Sequence, residues 1–488
     1  MAFEMNDITC ADTTTTTSKK EMVTSLSNGG AITPLPTDDD SVQDYGKEGL
    51  SVKNVLLAFS LPRNAGAILS TDSRDDDVMC LHGLRTLSIC WVVVGHSFYF
   101  MALFFENGLT AAEALETVLG QVVINSTLAV DTFFVLSGCL TAYLSLLTVR
   151  QDEGVSAKRV GQFYLHRYLR ITPTYGIFIM FCTCLLPYFS GGPDWWRKST
   201  EYYSSCRSYW WTNILYINNF YRSHDDQCVP WSWYLSADMQ LYWLAPILLL
   251  FLAAGFRIVG GLLICGVVVM HSALTAYLEQ SVNGDFLRNA DDFSWNVFQK
   301  TYCRCAPYVL GLGVGYILTR VKGFYTMSRA TRIIGWICTL ALTSTTTFIK
   351  YDENSIMLDH PFYWSEQSRA VHEALFRTGF SLAVCWIIFA CATGNGGFIN
   401  SILSWRGFLP LSRLSFCVYL LHPMIMLADM WTSRIPVFFT ISYVFQRSFG
   451  YLFMSLVFSF VLSAAVEKPV SSIERLFYRR GIVTEKSL

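Results

Sequence analysis

The sequence is short of charge. Only 15% of its 488 residues are Asp, Glu, Lys or Arg, where a soluble chain carries about 25%. With 52% hydrophobic residues and a mean hydropathy of +0.35, that shortage excludes an ordinary water-soluble domain. No sign of charge is in excess either. The net charge is −1, which gives no case for nucleic acid as a partner. Metal-type cysteine spacing is lacking too. The fifteen cysteines are scattered, several inside apolar runs, and the C-x-C of Cys303 and Cys305 has no histidine nearby. No metal and no permanently bound cofactor is expected. Residues 1–49 have too little apolar material to fold alone. They hold Thr13–Thr17, Gly29, Gly30, Pro34, Pro36 and Asp38–Asp40, and are expected to be a disordered tail. They lack a signal-peptide core, which leaves the N-terminus in the cytosol. No clear internal repeat or pair of broken halves is present, which counts against a common layout of secondary transporters.

What the chain has is long apolar runs. Spans are expected near 84–105, 121–147, 171–189, 238–254, 258–277, 304–320, 333–349, 374–393, 411–431 and 449–466. The fold class is therefore all-α: a polytopic membrane helix bundle with about ten transmembrane helices. Residues 50–80 read as a cytosolic linker. Within it Leu50–Leu61 is too short to span and reads as a helix on the inner membrane face. Residues 81–470 form the membrane domain and 471–488 a cytosolic tail. An even number of spans returns the C-terminus to the cytosol. The short loops then placed inside are dense in basic residues, among them Arg150, Lys158, Arg159, Arg320, Lys322 and Arg329. This is the positive-inside pattern. A multi-pass protein with both termini cytosolic follows, in the plasma membrane or the endoplasmic reticulum alike. Cys206 and Cys228 share the largest outer loop and read either as a disulfide or as free thiols.

Several polar residues interrupt these runs. In LHGLRTLSICWVVVGHS, Arg85 and His96 are eleven residues apart, so they share a helix face about 16 Å apart along the axis. With Arg85 at one membrane face, His96 lies near mid-bilayer, where an ionisable group is costly and by default a functional hypothesis. The bland reading is a snorkelling arginine and a hydrogen-bonded structural histidine. Asp131, in AVDTFFVLSG, falls at a similar depth. It reads as a group orienting His96 or as the partner of an arginine elsewhere in the bundle. Ser137 and Gly138 permit close helix packing. Arg167 and Arg170, spaced i, i+3, suit a phosphate-rich ligand at the cytosolic mouth, or anionic lipid. Asp238 and Gln240 follow an aromatic stretch and read as an acceptor site or as helix caps. Tyr419 and His422, in SFCVYLLHPM, are secondary site candidates near mid-depth, with Pro423 next to them.

Seven blocks carry a resemblance. They are LLAFSLPRNAGAILS (Leu56–Ser70), LHGLRTLSICWVVVGHS (Leu81–Ser97), AVDTFFVLSG (Ala129–Gly138), LHRYLRITPTY (Leu165–Tyr175), WSWYLSADMQLYWLAP (Trp231–Pro246), SFCVYLLHPM (Ser415–Met424) and VEKPVSSIE (Val466–Glu474). In this order they make the chain resemble the acyltransferase 3 family, in its nose-resistant-to-fluoxetine-like branch. The resemblance implies an acyltransferase for groups other than amino-acyl groups, moving an acyl group from a cytosolic donor, typically acyl-CoA, to a hydroxyl-bearing acceptor. The family's arginine–histidine pair falls on Arg85 and His96, and its basic motif on Arg167 and Arg170. That branch commonly carries a cysteine-containing domain ahead of the membrane region, where this chain has its short polar stretch. On this reading Arg85, Arg167 and Arg170 hold the donor's phosphates. His96 acts as base, directly or through an acyl-enzyme, and Asp131 orients it. The rival reading is a transporter of lipids or small hydrophobic molecules that uses the same polar cavity.

Overall fold

Runs of about twenty apolar residues fold as helices in lipid, because a helix satisfies its own backbone there. A computed structural model of the chain follows this rule. It describes residues 51–73, 77–151, 157–221, 227–282, 290–321, 323–351 and 364–485. The tail expected over 1–49 lies outside the described residues. Among them there is no strand, only an isolated bridge between Phe105 and Val437. The longer helices are α1 (Val52–Ala58), α2 (Leu61–Leu69), α3 (Cys80–Ala102), α4 (Gly108–Leu115), α5 (Val118–Ile124), α6 (Leu128–Gln151), α7 (Ala157–Cys184), α8 (Trp195–Ile214) and α9 (Trp233–Ala253). They continue with α10 (Arg257–Val282), α11 (Cys305–Val321), α12 (Arg329–Phe348), α13 (Glu366–Ala392), α14 (Gly397–Leu403), α15 (Phe408–Thr432), α16 (Ile441–Leu462) and α17 (Lys468–Glu485).

Each expected span coincides with a helix, but only seven are long and apolar enough to cross a membrane. The others fall short for physical reasons. The apolar α11 has 17 residues. The first half of α7 holds Lys158, Arg159, Arg167 and Arg170, and α12 ends in Thr343, Thr345, Thr346 and Thr347. A membrane helix bundle is thus established, while the count of ten is not.

Close helix contacts position the interior. Gly138 on α6 and Gly311 and Gly315 on α11 lie against each other's backbones, where any Cβ would collide with a carbonyl oxygen. This is small-residue packing of the kind membrane bundles rely on. Gly95 does the same for α3, fitting it against Ser126 in the short 3-10 turn between α5 and α6.

The linker helix expected over Leu50–Leu61 is α1, shorter than the stretch, and a second helix begins at the last residue of that stretch. α1 stops at Ala58 and α2 restarts at Leu61, with Pro62 in its first turn, where the missing N–H costs nothing. Arg413 of α15 donates to the carbonyls of Ala67 (3.0 Å) and Ile68 (3.2 Å) and to that of Ser70, covering the open C-terminal end of α2. At the other margin of the bundle, α8 occupies the stretch read as the largest outer loop. Cys206 on it forms a disulfide with Cys228.

Candidate functional site

α3 and α15 run parallel, and two polar contacts set their register. Near their N-terminal ends the Arg85 guanidinium donates to Ser412 Oγ at 3.4 Å, and His82 Nδ1 lies 3.0 Å from the same oxygen. Ten to eleven residues further along, His96 Nδ1 lies 2.9 Å from His422 Nε2. The rings are stacked, with centroids 5.1 Å apart and 13° between planes. His422 is fully buried and His96 half-buried.

The proton positions on a neutral pair follow from what each partner can do. His422 Nδ1 lies 2.8 Å from the Val418 carbonyl, which only accepts, so Nδ1 carries the hydrogen. His422 Nε2 is then the acceptor, and His96 Nδ1–H donates to it. His96 Nε2 is left with a lone pair, and among the described residues it has no hydrogen-bond partner. Pro423 adds to the hold, because it lacks the N–H that would bind the Tyr419 carbonyl, and that carbonyl also acts on His422.

The interior near Arg85 is basic. Arg167 on α7 forms an ion pair with Asp238 on α9 and donates to Ser137 Oγ on α6 at 3.2 Å. Its guanidinium also lies 4.2 Å over the Tyr242 ring. Arg170 is exposed. The positive field here is felt by His166, in the polar lead of α7. Burial, then the charges of Arg170, Arg167 and Arg475, push its pKa down to about 4. His166 is neutral near pH 7, although Glu474 is 3.8 Å away.

Between the basic cluster and the histidines stand two tyrosines. The Tyr419 ring is 6.5 Å from His422 and 5.6 Å from Tyr234, and its hydroxyl donates to the Trp231 carbonyl at 2.5 Å. Tyr234 and Asp238 are four residues apart on α9 and share a face.

Other expected residues sit elsewhere. Both oxygens of Asp131 are taken by arginines, Arg304 at 3.0 Å and Arg377 at 3.1 Å, and all three side chains are buried. The helix phase explains this. Asp131 and Gly138 are seven residues apart, within about 20° on the helix, so both face α11, with Arg304 just before its start. Ser137 lies about 240° from Asp131 and faces Arg167 instead. An arginine inside the expected span 374–393, Arg377, was the signal for this pairing, since such a charge needs a carboxylate partner. Gln240, two residues from Asp238, points the other way. It donates to the Tyr216 carbonyl (2.7 Å) and Asn219 Oδ1 (2.9 Å), in a buried amide network with Gln299 and Thr301. Asp238 and Gln240 therefore serve separate environments.

A family model described as an acyltransferase domain, acyltransferase 3, matches residues 80–468. The chain belongs to this acyltransferase family. It is 31% identical to nose resistant to fluoxetine protein 6 of Caenorhabditis elegans, over 87% of this chain and 54% of that one. It is 26% identical to regulator of hypoxia-inducible factor 1 of the same organism, over 56% of this chain and 57% of the other. The acyltransferase-family chain thus spans about half the length of these curated relatives. No solved structure matches it.

Proposed function

We propose that this membrane protein is an O-acyltransferase that takes an acyl group from a cytosolic acyl-CoA-type donor and passes it to a hydroxyl-bearing acceptor. The observation that carries the reading is the histidine pair. A fixed hydrogen-bond chain from His96 through His422 to the Val418 carbonyl leaves His96 Nε2 free to take a proton. Family membership supports the acyl-transfer class.

The donor's phosphates bind at Arg85 and Arg170, with Arg167 held between Asp238 and Ser137. The thioester reaches inward to His96. His96 Nε2 takes the acceptor's hydroxyl proton as the oxygen attacks the thioester carbon. The carbonyl electron pair moves to oxygen and returns as the carbon–sulfur bond breaks. The departing thiolate takes the proton from His96, giving an ester and free CoA thiol. His422 is a positioning residue: it fixes the His96 tautomer and accepts a hydrogen bond from the imidazolium as it forms. Asp131 is left out of this scheme, because both its oxygens are occupied by arginines.

The test uses the purified full chain in phosphatidylcholine nanodiscs, radiolabelled acyl-CoAs, and a panel of lipid and sugar alcohols. Acceptor-dependent CoA release is the expected result. Solute movement across proteoliposomes with no CoA turnover would replace acyl transfer by transport.

A further inference from the structure

Between the basic cluster and the histidine pair lies a polar group that the scheme above does not use. Tyr234 stands on the first turn of α9, with its ring 4.8 Å from Phe134 and 5.6 Å from Tyr419. It is half-buried among helices, and among the described residues its hydroxyl has no hydrogen-bond partner. That contrasts with Tyr419, whose hydroxyl is committed to the Trp231 carbonyl, and with Tyr175, whose hydroxyl accepts from Asn213 at 2.7 Å. The charged groups acting on the Tyr234 hydroxyl are Asp238, Arg167 and Arg85, all at the mouth.

Depth places this tyrosine between the two ends. Taking Ser412 as the level of Arg85, Tyr419 lies seven residues and His422 ten residues further along α15, or about 10 and 15 Å. Tyr234 packs on Tyr419, so it sits at the intermediate level. A donor with phosphates on the arginines and a thioester at His96 must lay its connecting arm past this level. In a pantetheine thioester that arm carries secondary amides, each an acceptor and a donor. A phenol with an uncommitted hydroxyl in a site otherwise walled by Phe133 and Phe134 is the group that such an amide would meet.

We infer that Tyr234 hydrogen-bonds the amide-bearing arm of a pantetheine thioester, and that it selects this donor class over thioesters lacking the arm. The inference rests on the acyl-transfer reading and deepens it. Tyr234→Phe keeps the ring and its packing and removes only the hydroxyl.

The experiment compares wild type and Tyr234→Phe in nanodiscs with acyl-CoA and with the same acyl group on ethanethiol, a truncated thioester that has none of the arm's amides. The KM for acyl-CoA is expected to rise about five- to tenfold, the effect of one hydrogen bond to a neutral group. The kcat stays within twofold, and the kinetics with the truncated thioester do not change. An unchanged KM for acyl-CoA overturns the inference, as does an equal rise with both thioesters. Calorimetric binding of CoA itself separates the two layers of argument. Wild type that binds CoA as tightly as Tyr234→Phe does sinks only the tyrosine. Wild type that binds no CoA sinks the donor reading and the tyrosine with it.

Discussion

Two buried polar clusters in this molecule look alike from the sequence and differ in construction. Asp131, Arg304 and Arg377 form a set of opposite charges, two guanidiniums that engage both oxygens of one carboxylate, with side chains at most 3% exposed, and Arg377 links the set to Glu373 at 3.9 Å. His96 and His422 form an open set of neutral rings, in which one end of the hydrogen-bond chain is tied to a backbone carbonyl and the other has no partner among the described residues. The first stores its polarity in contacts that already exist. The second holds an acceptor atom in reserve. Depth in the membrane is therefore a poor guide to catalysis by itself. The useful question is whether a buried group has capacity left over after its partners are counted.

The sharpest way to break this comparison is to remove one member of each set. His96→Ala should lower acyl transfer by at least about a thousandfold, within the range for loss of a general base. The variant should still insert and run as a single species on size exclusion. Normal CoA release from that protein would reject His96 as the base. Asp131→Ala should do the opposite, leaving Arg304 buried without its carboxylate and Arg377 with Glu373 at 3.9 Å. Breaking a buried ion pair in this way costs about 3–5 kcal/mol. The measurement is thermal unfolding in detergent, with loss of most folded protein expected. A folded but inactive Asp131→Ala protein would return Asp131 to the catalytic site.

Much of this was legible beforehand, and the limits were geometric. Apolar run length gives the helical class, and the R-x10-H spacing gives a shared face for Arg85 and His96. His422 was visible as a mid-depth histidine, but nothing in SFCVYLLHPM says that it meets His96, because α3 and α15 are more than three hundred residues apart in the chain. Of the readings given to Asp131, the arginine partner is the one the structure shows, and a local reason for it is readable. The phase of Asp131 matches Gly138, so it belongs to the face that packs tightly on α11. The surface helix expected over Leu50–Leu61 stops just before Pro62, whose place in a helix is the first turn, and which marks the start of the second helix α2. The helix α8 was hidden because its mixed polar and aromatic sequence lacks the apolar run that signals a span.

A smaller effect tests the link between the two rings. His422→Leu removes the acceptor for His96 Nδ1–H and frees the imidazole to take either tautomer. The rate should fall about a hundredfold, at the lower end of what acid–base positioning contributes. His422→Gln, which can still accept at that point, should recover part of the loss. Nitrogen NMR of labelled histidine should show His96 as a single Nδ1–H tautomer in wild type and a mixture in His422→Leu. A single unchanged tautomer alongside the lower rate would mean that His422 acts in some other way.

The smallest expected effect concerns a third kind of buried polar group, one that joins elements. Asn64 of α2 donates to the Ala58 carbonyl at 2.9 Å and to the Ala464 carbonyl at 3.0 Å. Ala464 lies in the π turn Ser463–Glu467, where the hydrogen-bond register slips by one residue. Asn64→Asp keeps the shape and removes both donors, leaving two carbonyls facing an added acceptor. Hydrogen exchange over residues 52–69 should rise about tenfold, the equivalent of one or two net hydrogen bonds. Acyl transfer should stay within twofold, since α2 contributes no group to the histidine chain. A large loss of rate would show that the two linker helices hold α15, through Arg413, in the register that keeps His422 on His96. The line between joining residues and positioning residues would then run through Asn64 itself.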